Sequence, residues 1–167
     1  EAFAADETEG RRDMAIERLL ESGSYADYFT NKWASLLRNK KTKATYELGT
    51  FSFHDWLREM IHTNAPYDQI VRNVVAASGD LRSNPGVVWY RSVNKTEQQV
   101  EDSAQLFLGM RIQCARCHHH PFERWSQKDY YSYQAFFSRV GRKKNPDGLV
   151  DADRVFHNRG KASAKNP

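Results

Sequence analysis

Phe53, Trp56, Leu57, Met60 and Ile61 lie on one stripe of a helical period, with polar or charged residues between them. The spacing recurs along the chain, and most recurrences end at a breaker. A first stripe over residues 9–21 places Ile16, Leu19 and Leu20 inward and stops at Ser22-Gly23. Ser24 and Asp27 form an S-x-x-D capping box that opens a second helix carrying Phe29, Trp33, Leu36 and Leu37. A polar connector, Asn39-Lys40-Lys41-Thr42-Lys43, follows it. Ser52 and Asp55 repeat the box before the stripe named above. Asn64-Ala65-Pro66 ends that stripe, because proline disfavours helix at the residue before it. Pro66 suits the first turn of the next helix, with Tyr67, Ile70, Val71, Val74 and Val75 apolar.

Asn84-Pro85-Gly86 is a turn cluster, and Val87-Val88-Trp89-Tyr90 reads as a short extended or irregular segment. Thr96 with Gln99 is a further capping box, opening a helix through Val100, Ala104, Phe107 and Leu108 toward Met110. Ser126 with Asp129 caps a last helix carrying Tyr133, Phe136, Phe137 and Val140. After Gly141 the pattern decays. Asn145-Pro146-Asp147-Gly148 is a strong turn, residues 149–157 suit a short strand, and residues 160–167 form a polar tail. The expected fold is all-α, with five to six amphipathic helices in one domain over residues 1–144. Residues 145–167 are expected to be an irregular C-terminal extension leading to a further domain of a parent protein.

A chain of 167 residues with 40% hydrophobic and 13% aromatic residues has enough apolar surface for a core. No apolar run approaches the roughly 20 residues of a membrane span, so no membrane insertion is expected in this segment. The first six residues show no basic or apolar leader pattern, so no signal peptide is visible. The net charge of +4 is concentrated in Arg38, Lys40, Lys41 and Lys43, and in Arg139, Arg142, Lys143 and Lys144. Both clusters read first as solvated helix ends, and next as surfaces for an acidic partner. No nucleic-acid recognition pattern accompanies them.

The chemistry is concentrated in Cys114-Ala115-Arg116-Cys117-His118, which holds both cysteines of the chain. C-x-x-C-H is the spacing of a c-type haem attachment site. Two sulfurs at i and i+3 face one edge of a porphyrin, and the adjacent imidazole ligates its iron. Trp125 is the tryptophan placed to touch such a cofactor. A zinc or iron site built from Cys114, Cys117, His118 and His120 is the alternative. Those ligands span only seven residues, unlike the usual paired spacing, unless His157 replaces one of them. A thioredoxin-like redox pair belongs beside a βαβ pattern, which is absent. Met60, Met110, His54, His62, His120 and His157 are candidate sixth ligands. No G-x-S-x-G, phosphate loop or H-E-x-x-H is present, so no catalytic constellation is expected.

The segment from Gln105 to Trp125, with Asp129-Tyr130-Tyr131 and Ala135-Phe136-Phe137, resembles the cytochrome-c-like domain of large planctomycete proteins. Arg18-Leu19-Leu20, Tyr25-Ala26-Asp27-Tyr28, Trp33, Asp55-Trp56-Leu57, Pro66-Tyr67-Asp68 and Asn94-Lys95-Thr96 extend the resemblance. The family's C-x-x-C-H-x-H-P pattern falls on Cys114, Cys117, His118, His120 and Pro121. The resemblance implies one covalent haem c serving electron transfer or redox sensing. It also implies a larger periplasmic or envelope protein, whose other domains or a redox partner protein meet this one. The second histidine keeps the non-haem metal alternative open.

Overall fold

In the computed structural model, residues 2–5, 7–144 and 154–158 are described. The fold is predominantly α. Among the described residues there are eight α-helices: α1 (Ala2–Ala5), α2 (Arg11–Leu20), α3 (Gly23–Leu36), α4 (Glu47–His62), α5 (Tyr67–Val75), α6 (Trp89–Ser92), α7 (Thr96–Leu108) and α8 (Gln127–Phe137). A two-stranded antiparallel sheet joins β1 (Val140–Lys143) to β2 (Arg154–His157), with Val140 opposite His157 and Arg142 opposite Val155. No helix among the described residues is long and apolar enough to cross a membrane.

Two apolar cores organise the helices. The first gathers Ala34 and Leu37 with Phe53 and Leu57 of α4, Val74 of α5, and the run from Val87 to Val93. The second joins Val100 and Ala104 of α7 to Tyr130 and Phe137 of α8 through Ile112 and Ala115. Val140 packs against both.

Several expectations are corrected by tertiary context. Val87 and Val88 lie in a 3-10 turn, Pro85–Val88, and Trp89-Tyr90 open α6, so the segment is helical rather than extended. Trp89 and Tyr90 are fully buried, and this burial outweighs the poor local helix propensity of a β-branched and aromatic run. Gly86 permits the packing: a Cβ there would meet the Asn73 carbonyl oxygen at 2.2 Å. Ser22 caps α3 in place of Ser24, its Oγ accepting from the Tyr25 N–H at 3.2 Å. At α4, helix begins at Glu47, so Ser52 and Asp55 lie within it and form no box. Arg91 holds that early start in place. Its guanidinium donates to the carbonyls of Lys40 and Tyr46 and to Thr50 Oγ1, and stacks 4.6 Å over the Tyr46 ring. Lys95 is the N-cap of α7, where the Gln98 carboxamide accepts its N–H at 3.3 Å. Gln99 is buried and donates instead to the Val93 carbonyl.

Ile16, Leu19 and Leu20 were expected inward, yet α2 buries no residue and Leu19 is 63% exposed. No second layer of the described chain covers that face. The short strand expected within residues 149–157 is present at residues 154–157, and the boundary of the helical body moves with it. Residues 154–157 form β2, with Val155 in the first core and bonded through its backbone to Gly79 in both directions at 2.8 and 2.9 Å. They belong to the helical body rather than to an irregular extension. The turn at 145–148 and the tail at 160–167 lie outside the described residues.

The basic clusters are largely used within the fold. Arg38 pairs with Asp102 at 2.8 Å, Lys41 with Glu47 at 2.6 Å, and Lys43 lies over the Tyr46 ring. In the second cluster Arg139 donates to the Asn158 carbonyl and Lys143 lies over Phe156.

Candidate functional site

Helix α7 ends at Gly109, whose left-handed φ of 67° turns the chain out of the helix. A 3-10 turn, Gln113–Arg116, follows and carries the motif. Ile112 and Ala115 anchor it. Ala115 is completely buried in the second core, and its N–H donates to the Ile112 carbonyl at 2.9 Å. With that side fixed inward, Cys114 and Cys117 both face solvent, and both are free thiols. The Cys114 carbonyl receives the N–H groups of Cys117 and His118, each at 3.3 Å. One turn of backbone therefore holds both sulfurs and the first imidazole.

The three consecutive histidines have different hydrogen-bond roles. His118 Nδ1 lies 2.6 Å from the His119 carbonyl oxygen, which only accepts, so Nδ1 carries the proton. Its Nε2 is then bare, in the tautomer that ligates a metal through Nε2. His119 Nδ1 accepts from the Gln127 N–H at 3.3 Å. His120 Nδ1 accepts from the N–H groups of Phe122 and Glu123 at 3.3 and 3.0 Å. In neutral His119 and His120 the proton therefore sits on Nε2, which leaves no bare nitrogen there.

The loop after the motif is braced from several directions. His120 N–H donates to the Trp125 carbonyl at 2.8 Å. The Arg116 carbonyl accepts from Gln127 Nε2 at 3.1 Å and from the Tyr131 hydroxyl at 3.2 Å. Trp125 Nε1 donates to Glu123 at 2.7 Å, and the Arg124 guanidinium lies 5.0 Å from its ring centroid. The capping box expected at α8 is present: Ser126 Oγ accepts from the Asp129 N–H, and the Asp129 carboxylate accepts from Ser126 N–H and Oγ. Those two bonds from Ser126 hold the Asp129 carboxyl below its ordinary range. Burial, with Glu101 beside it, pushes the Tyr130 phenol well above its ordinary value.

Beside the turn lies an apolar cavity of about 280 Å³, with Leu108, Met110, Ile112, Trp125, Tyr133 and Phe136 among its walls. Its rim is exposed: Phe136 is 74% accessible and Leu108 56%, and Phe122 on the adjoining loop is 92% accessible. Of the candidate sixth ligands, only Met110 lines this cavity. Met60 lines a different cavity between α3, α4 and α5. His54 Nε2 is 3.2 Å from Asn31 Oδ1, His62 sits in the last turn of α4, and His157 stands opposite Val140 in the sheet. Among the described residues, no group of three or more His, Cys, Asp or Glu side chains is arranged to hold a metal ion. Cys114, Cys117 and His118 are thus the donors that the motif leaves available, while His119 and His120 brace the loop. The bracing role of His119, Gln127 and Ala115 left no signal in residue spacing.

No curated protein matches the chain, and no solved structure does. A family model described as PSCyt2, protein of unknown function (DUF1549), matches residues 1–142. That match covers all eight helices, the motif turn and most of β1. The chain belongs to the PSCyt2 family.

Proposed function

We propose that this is a c-type cytochrome-like domain of the planctomycete kind, binding one covalent haem for electron transfer or redox sensing within a larger envelope protein. Cys114 and Cys117 hold the porphyrin as thioethers: each Sγ–H adds across one vinyl double bond, so nothing leaves. His118, whose Nε2 is bare, would supply a nitrogen to the iron. Haem, when bound, supplies a one-electron couple at the iron. The observation that carries this reading is the sorting of donors on one turn: two solvent-facing free thiols and, next to them, the one histidine of three whose Nε2 is bare. The exposed apolar rim of Leu108, Phe122 and Phe136 suits a porphyrin face or a neighbouring domain of the same chain. Thioether formation requires exported protein and maturation machinery, which places the domain in the periplasm or envelope. A redox partner protein, or another domain of the parent chain, is the electron partner.

The test is export of the protein with cytochrome maturation factors, followed by a visible spectrum and an intact mass after denaturation. A Soret band and a retained mass gain of one haem are expected. Cys114→Ser or Cys117→Ser leaves a single thioether. Stoichiometric zinc or iron without porphyrin would overturn the haem reading in favour of a Cys/His metal module.

A further inference from the structure

A second cavity, of about 390 Å³, opens between α3, α4 and α5, with Phe107 of α7 closing one side. It falls within the size range of small-molecule sites. Trp33 and Tyr67 both line it and pack against each other, their ring centroids 6.0 Å apart and tilted by 48°. Its lining contains no Asp, Glu, Lys, Arg or His. A charged ligand would therefore lose its hydration with no counter-charge to replace it. Three of its lining residues carry a neutral polar group: Tyr25, Tyr67 and Asn64. The Tyr67 hydroxyl makes one long bond, 3.4 Å, to the Phe107 carbonyl. The Tyr25 hydroxyl and the Asn64 side chain have no hydrogen bond among the described residues. The wall is built from four helices whose backbones are fixed by the first core, so the opening is part of the fold.

We propose that this cavity binds a small uncharged aromatic molecule with an oxygen at its edge, of the phenol or quinone class. The rings supply flat apolar walls, the lack of charge selects a neutral ligand, and the tyrosine hydroxyls meet its oxygen. The site is separate from Cys114 and Cys117: adjacent residues of α7 face apart, Phe107 into this cavity and Leu108 into the one beside the motif. It does not depend on what the cysteines hold.

The experiment uses the isotope-labelled, haem-free 167-residue chain, titrated with 1-naphthol and with menadione while amide and indole resonances are followed. Saturable shifts are expected at the Trp33 indole and at the amides of Ala65 and Ile70. Ala65→Phe and Val71→Phe fill the space, and each weakens binding at least about tenfold while leaving Tm unchanged or higher. Tyr25→Phe weakens it by roughly two- to tenfold through loss of one hydrogen bond. Several results would overturn the proposal: no saturable shift up to about 1 mM ligand, equal affinity for the charged 1-naphthoate, preference for the alkyl chain of 1-decanol, or unaltered binding in both filled variants.

Discussion

His118 Nδ1 stands 2.6 Å from the carbonyl oxygen of its own neighbour, His119. The bond closes within one residue, so the backbone that places the imidazole also fixes its tautomer. His118 is exposed and braces nothing else among the described residues. His118→Ala is therefore expected to keep the fold, changing stability by less than about 0.5 kcal/mol. In protein loaded with haem it is expected to abolish the imidazole-ligated visible spectrum. Denaturant unfolding and absorption spectroscopy measure the two effects separately, and a large loss of stability would contradict the assignment.

His120 is the reverse case. Its Nδ1 takes two backbone N–H groups, and His120→Ala leaves both without a protein acceptor. Water reaches this half-exposed loop and limits the cost, so a loss of about 1 kcal/mol is expected. Hydrogen exchange at Phe122 and Glu123 should quicken in the variant. Unchanged exchange would show that the side chain does not brace the loop.

Ala115 faces the second core with no exposed surface, and that burial turns both cysteines outward. Ala115→Leu overpacks the site and is expected to cost about 1–3 kcal/mol. It should also lower the fraction of chains that acquire covalent haem, read by intact mass. Arg116→Ala, one residue on and exposed, should do neither.

Gly86→Ala places a methyl group against the Asn73 carbonyl, where 2.2 Å separates the atoms before any shift. Backbone lies on both sides of this contact, and relief requires moving the 3-10 turn away from α5. A loss of about 3 kcal/mol or more is expected in thermal or denaturant unfolding.

Two carboxylates give opposite pH dependences. Hydrogen bonds from Ser126 lower the pKa of Asp129, so its contribution is present above the ordinary carboxylate range and is lost as pH falls through the lowered value. Ser126→Ala should therefore be less stable than the parent at neutral pH, with the gap narrowing in acid. Burial raises Asp102, and Arg38 only partly offsets it. Ionised Asp102 therefore costs stability, and that cost appears as pH rises from the ordinary carboxylate value through the raised one. Asp102→Asn should flatten this dependence, measured as unfolding free energy against pH.

The helical class was legible because Phe53, Leu57 and Ile61 repeat at a helical period and do enter or flank the first core. The Ser126 box was legible because both of its bonds are local. What stayed hidden was decided at long range. Nothing near Glu47 announces the helix start that Arg91 stabilises from the other side of the core. Val87 to Tyr90 have strand-like composition and become helical because the core closes around them. Ile16 and Leu19 carry an inward pattern with no described layer to receive it. At the site, Cys114, Cys117 and His118 were visible as spacing. The different roles of the three histidines depend on backbone groups, which side-chain spacing does not report.

Val155 lies past the end of the family match yet sits 2% exposed in the first core, returning to bond Gly79 and to pair with β1. A gene fragment cut at residue 142 would sever the hairpin inside β1, leaving Val140 uncovered and Gly79 with an empty donor and acceptor. Strand β2 is therefore part of the packed body, and an expression boundary drawn at the end of the family match would fall one strand short.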